Sequence, residues 1–258
     1  MSDYNNENNN YHYTNDYTSP NPGYDYSTFD ATESGSFTIM EDSLKGIMTG
    51  VFMYMFIALL VTGITAVFTA SSPALLSVIF GNSISLILLL VLEFGVVIGA
   101  TTAMRNNKVT LSAVLFFAYA VVNGLTLSVI FLAYTASSIQ QAFFSTAVVF
   151  GLMAFFGFVT KMDLTSIGRI LMIGLLGVII TSTVNIFIGS TMFDTGISIV
   201  AVLIFLGLTA YDVQKIKVMA EAHSGYNPAV ISLWGAMELY LDFINLFLRI
   251  LRLMGRRD

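Results

Sequence analysis

AVISLWGAMELYLDFINLFLRILRL, residues Ala229 to Leu253, is the stretch that decides how this chain folds. It is long enough to span a bilayer, since about 20 apolar residues cover a hydrocarbon core of ~30 Å. Yet Glu238 and Asp242 lie well inside it. Four residues apart on a helix, they share one face, one turn above the other. An acid at membrane depth costs a few kcal/mol even on lenient insertion scales, so it faces a bundle interior or a watered cavity. This helix is therefore expected at the centre, with the others wrapped around it.

Composition agrees. Of 258 residues, 56% are hydrophobic and only 10% charged, and mean hydropathy is +0.79, whereas a soluble domain carries about 25% charged residues. Cysteine is absent, which excludes disulfides and thiolate metal sites. The net charge of −5 hides a division. Residues 1–42 hold eight of the sixteen acids and no Lys or Arg; the remaining eight acids face all eleven bases. Neither part has the dense basic face that nucleic acid demands. Residues 2–30 contain no Ala, Val, Leu, Ile or Met but six Tyr and seven Asn. Residues 1–42 are thus expected to be a disordered acidic tail, because such a segment cannot bury enough aliphatic surface to order itself. Residues 43–258 form the membrane domain.

Seven hydrophobic segments follow, at roughly 46–70, 84–104, 109–134, 141–160, 167–189, 197–217 and 229–253. Their length without period-2 alternation excludes a barrel, and the fold class is all-α, a polytopic bundle of seven transmembrane helices. Lys45, Arg105, Lys108, Lys161, Arg169, Lys215 and Lys217 fall on the N-terminal side, which argues for a cytoplasmic N-terminus. Arg249, Arg252, Arg256 and Arg257 fall on the other side if the last helix spans; a re-entrant last helix would bring both ends to the cytoplasm.

Glu93 lies mid-span in LLLVLEFGVVIG, and Arg105 closes the same helix. Asp212 sits in FLGLTAYDVQKIK, just before Lys215 and Lys217. Topology brings Arg105 and Asp212 to one side, from which the last helix starts. Asp212 reads either as an interfacial charge or as a functional acid, and Glu93 either as an interhelical hydrogen-bonding group or as part of a pathway. Asp242, so deep, reads as functional. It meets Asp212 only if the sixth span extends beyond its basic end or the seventh begins outside the hydrocarbon.

FLGLTAYDVQKIK (205–217) and LYLDFINLFLRILRLMG (239–255) resemble the paired signature of the Bax inhibitor-1 family, the transmembrane Bax-inhibitor-motif proteins. NGLTLS (123–128) and the Met104-Arg105 pair also fit, and the compact size is similar to the bacterial branch. The resemblance covers residues 43–255. It implies a central last helix between two three-helix layers and a calcium-permeable leak regulated by pH. Asp212 and Asp242 would be the facing sensor pair, Arg105 the latch and Glu93 the second-helix acid. Glu238 stands where family members often have a neutral residue. Two carboxylates in hydrogen-bond reach at low dielectric cannot both ionise cheaply, and they titrate as a unit. Calcium, a hard cation, takes oxygen ligands, so Asp212, Asp242 and Glu238 are its candidate ligands, with Glu93 and Glu238 along the ion pathway. No resident cofactor is expected; calcium is the permeant ion.

An intramembrane aspartyl protease needs a YD motif and a GxGD motif. Tyr211-Asp212 supplies the first, but Asp242 follows Leu-Tyr-Leu with no glycine; a serine protease of the rhomboid type fits less still, because His12 and His223 lie outside the spans. The chain is thus not expected to be an enzyme. The alternative function is a non-conducting regulator that binds a membrane quality-control protease or a stress-pathway partner. Expected partners are the lipid bilayer, calcium ions and other membrane proteins, in a bacterial inner membrane.

Overall fold

The computed structural model describes residues 27–222 and 225–255, with side chains from Asp42 onward. The chain divides into two compact units, Met1–Glu41 and Asp42–Asp258, and the second is described below. The disorder expected of residues 1–42 lies outside the described residues up to 26; the backbone of the first helix begins at Ser27.

The helices run α1 (Ser27–Ala70), α2 (Pro73–Phe80), α3 (Ser83–Arg105), α4 (Val109–Leu127), α5 (Ile130–Ala133), α6 (Ala136–Val159), α7 (Thr165–Ile188), α8 (Thr191–Glu221) and α9 (Pro228–Met254). Seven segments among the described residues are long and apolar enough to cross a membrane, with Asp42–Ala70 taken from α1 and Val109–Ala133 joining α4 to α5. This is an all-helical integral membrane protein. The expected spans are all present, with ends displaced by a few residues, and α2 is a short helix inside the expected first loop.

Local chemistry sets the ends. Asn227 Oδ1 accepts from the Ala229 N–H at 2.9 Å with Pro228 in the first turn, where proline's missing N–H costs nothing. Asn82, Thr135 and Ser190 cap α3, α6 and α8 in the same way. Asp163 Oδ1 accepts the Thr165 N–H at 2.9 Å, and hydrogen bonds from the Thr165 hydroxyl and backbone hold its carboxyl below the usual range. Gly189, at φ +69, ends α7 in the left-handed region.

α9 is the centre. In its most hydrophobic window 78% of residues are buried, against 50% or less in every other span and 6% in α3. It packs against α8, α6, α4 and α3, and Ser232 Oγ donates to Ile47 O of α1 at 3.1 Å. Lipid tails give helices no hydrophobic reason to associate, so close contact decides. A Cβ at Gly235 would stand 2.9 Å from both Ile216 of α8 and Val51 of α1, so a glycine there lets three helices meet. The outer faces of the other spans, at Phe68, Phe94, Ile173 and Phe187 among others, are exposed and apolar.

Candidate functional site

Asp212 on α8 and Asp242 on α9 meet inside the bundle. α8 continues past Lys217 to Glu221, so Asp212 lies well inside a helix, at the depth Asp242 reaches. The sixth span extends beyond its basic end, one of the two arrangements that allow contact. Asp242 is 6% exposed and Asp212 half-buried. Their carboxyl groups are within hydrogen-bonding reach of each other, and the Thr209 hydroxyl is within reach of Asp242. Asp242 Oδ2 is sealed from solvent with no hydrogen-bond partner among the described residues. A buried carboxylate that shares a proton with its neighbour meets this geometry at less cost than two full charges.

Glu238 stands one turn before Asp242. Its Oε1 takes the Lys215 ammonium at 2.6 Å and the indole N–H of Trp234 at 2.9 Å. Its Oε2 is buried without a partner among the described residues. Lys215, Glu238 and Asp212 are all within electrostatic reach of one another. Lys217 turns away: its ammonium lies 5.2 Å over the Phe158 ring and 3.3 Å from that residue's carbonyl.

Arg105 does not join this cluster. It is exposed at the end of α3 and makes no ion pair or hydrogen bond among the described residues. The reason is geometric. α3 packs chiefly on α4, whereas Lys215 follows Asp212 by three residues, on the same helix face. The countercharge expected from Arg105 is supplied locally by Lys215. Nor do three carboxylates converge: among the described residues no group of three His, Cys, Asp or Glu is arranged to hold a metal ion. The expected ligand set Asp212, Asp242 and Glu238 is not preformed, because Glu238 is committed to Lys215 and Trp234.

Glu93, on α3, sits apart as well, near a different face of α9. Its Oε2 accepts from Thr126 at 3.1 Å, and Tyr119 is within hydrogen-bonding reach. Tyr119 packs edge-on against Tyr240, ring centroids 5.8 Å apart. Tyr240, fully buried, takes 2.7 Å bonds with Asn123 Nδ2 and Thr62 Oγ1. The Thr62 hydroxyl donates to Ala120 O at 2.9 Å, so Tyr240 donates to Thr62 and accepts from Asn123. Residues 240 and 242 point about 200° apart on a helix of 3.6 residues per turn. Glu93 therefore belongs to a satisfied polar network across α1, α3, α4 and α9, separate from the aspartate pair. Sequence reading missed Tyr240, Asn123 and Thr62; a tyrosine two residues before an intramembrane aspartate was the available signal. It also missed Lys215 as the partner of Glu238, although spacing on α8 offered it.

The family described as Inhibitor of apoptosis-promoting Bax1 matches residues 44–258. Inner membrane protein YbhL of Escherichia coli (strain K12) is 38% identical over 217 residues, covering 83% of this chain and 93% of the relative. An uncharacterized protein of Borreliella burgdorferi is 40% identical over 212 residues, covering 80% and 90%. One of Rickettsia prowazekii is 36% identical over 218 residues, covering 84% and 92%.

Proposed function

This chain belongs to the Bax inhibitor-1 family, and from that premise we propose that it is a pH-regulated, calcium-permeable leak channel gated by Asp212 and Asp242. The observation that carries the reading is the buried carboxyl pair where α8 meets α9, with one sealed oxygen lacking a partner. While the pair keeps negative charge it acts with Glu238 to hold the Lys215 ammonium, and α8 stays drawn onto α9. Acidification adds a proton to the pair and removes part of that hold. The Lys215 side chain, about one third exposed, can then turn to water, and the contact between the helices loosens. A two-state element with a gap of a few kcal/mol responds to a change of this size. Calcium takes oxygen ligands, which the Glu238 carboxylate, released from Lys215, provides in passing. The chemistry is ion movement without bond cleavage, and no resident cofactor is involved.

A bacterial inner membrane is the proposed setting, with the N-terminus on the cytoplasmic side. The name of the Escherichia coli relative supports the membrane, and the seven of eleven lysines and arginines that fall on the N-terminal side support the orientation. A second reading, a non-conducting regulator of another membrane protein, draws on the lack of a preformed three-carboxylate metal site among the described residues. Calcium entry into proteoliposomes holding the purified full chain, followed from mildly acidic to neutral pH, separates the two. Entry that rises on acidification supports the channel; no entry at any pH removes it in favour of the regulator.

A further inference from the structure

Beyond the midpoint of α9, away from the aspartates, a cavity of about 530 Å³ opens between the α4–α5 junction, Tyr134 and the last turns of the helix. Its walls include Arg249, Arg252 and Asn245, and no acidic residue among the described residues lines it. Arg252 Nη1 pairs with Asp194 Oδ1 of α8 at 2.9 Å, both side chains partly exposed. Arg249, one turn deeper, has a 3.3 Å bond from Nη2 to Ser182 Oγ of α7. Its Nη1 is sealed from solvent and has no acceptor among the described residues.

The charges do not balance. Arg252 and Asp194 both lie within electrostatic reach of Arg249, so among the described residues two guanidinium groups face one carboxylate. Arginine cannot shed its proton to relieve this. Guanidinium presents a planar fork of donors suited to phosphate oxygens, and basic pockets between spans are where anionic head groups dock. Arg252 lies in the last turn of α9, the level of a span at which lipid phosphates begin.

We propose that the cavity walled by Arg249 and Arg252 is a binding site for a phosphate group, with the Asp194 carboxylate as a built-in competitor for it. The phosphate comes either from a phospholipid head group or from free inorganic phosphate; the recognition chemistry is the same. The site is independent of the leak, since it shares no residue with the aspartate cluster.

The test uses the purified, delipidated full chain. Retention of phosphatidylglycerol against phosphatidylcholine is measured by native mass spectrometry, and thermal protection by inorganic phosphate is measured against chloride at equal ionic strength. Arg249→Gln should weaken the binding about tenfold, the scale of one lost charge-assisted contact. Asp194→Asn should strengthen it, because it frees Arg252 while leaving both arginines in place. Preferential retention of phosphatidylglycerol that follows this order assigns the site to a head group; protection by inorganic phosphate alone, in the same order, assigns it to the free anion. If neither probe distinguishes wild type from the variants, the proposal is overturned. Should Arg249→Gln fail to fold, Asp194→Asn decides by itself: no gain in binding overturns the site.

Discussion

The two halves of α9 are built from opposite charges. Up to its middle, Glu238 and Asp212 of α8 face one cation, Lys215, and Asp242 stands beside Asp212. Toward its end, Arg249 and Arg252 surround one anion, Asp194. In each half the minority charge pairs with one member, and sealed atoms without a partner among the described residues remain: Asp242 Oδ2 and the second oxygen of Glu238 in the first, Arg249 Nη1 in the second. The halves differ in what they can do about it. Carboxyl groups relieve an excess of charge by binding protons, which is why the proposed leak takes the acidic half as its pH sensor. Guanidinium groups stay charged, which is why the proposed ligand of the basic half is an anion. Protonation suits a switch; a fixed charge suits a permanent ligand.

The largest effect should come from neutralising the switch. Asp212→Asn and Asp242→Asn each fix a carboxyl in a neutral form, so the leak in proteoliposomes should become nearly flat between mildly acidic and neutral pH. It should sit near the level wild type reaches on acidification. A pH response that survives in both variants removes the pair as the sensor and erases the contrast with the basic half.

Tyr240→Phe comes next and acts between the halves. Here the Tyr240 hydroxyl bonds both Asn123 Nδ2 and Thr62 Oγ1, so its loss leaves the Asn123 amide without its acceptor and Thr62 without a donor, at a cost of about 1–2 kcal/mol. Lower thermal stability with an unchanged pH profile is the expected result; a shifted pH profile would mean that the Glu93 network and the aspartate pair act together.

Lys215→Gln removes the minority cation from the acidic half. The ion pair is partly exposed, which limits its strength, so leak at neutral pH should rise only a few-fold. Arg105→Ala, exposed and without an ion partner among the described residues, should leave it unchanged. The reverse ranking would return the latch to Arg105.

The smallest signal is optical. Trp234 is the one tryptophan of the chain, and its indole N–H donates to Glu238. Its emission should shift slightly on acidification in wild type and be already shifted at neutral pH in Lys215→Gln. Identical spectra at all pH values would show that Glu238 keeps its contacts throughout.

Much of this was legible in the chain itself. Apolar runs of span length marked seven helices able to cross a membrane, since nothing but helices and closed barrels satisfies the backbone in lipid. An acid too deep to face acyl chains marked the last run as the central one. The motifs around Asp212 and Asp242 carried the family resemblance. What only the tertiary structure decided is partnership. Spacing within a helix tells which residues share a face, but not which neighbouring helix that face meets or how far that helix extends. The continuation of α8 to Glu221 brings Asp212 to Asp242. The packing of α3 on α4 leaves Arg105 outside and sends Glu93 to Tyr119 and Thr126. Charges at membrane depth bond to whatever lies within a few ångströms, and that distance is set by helix packing rather than by the order of residues.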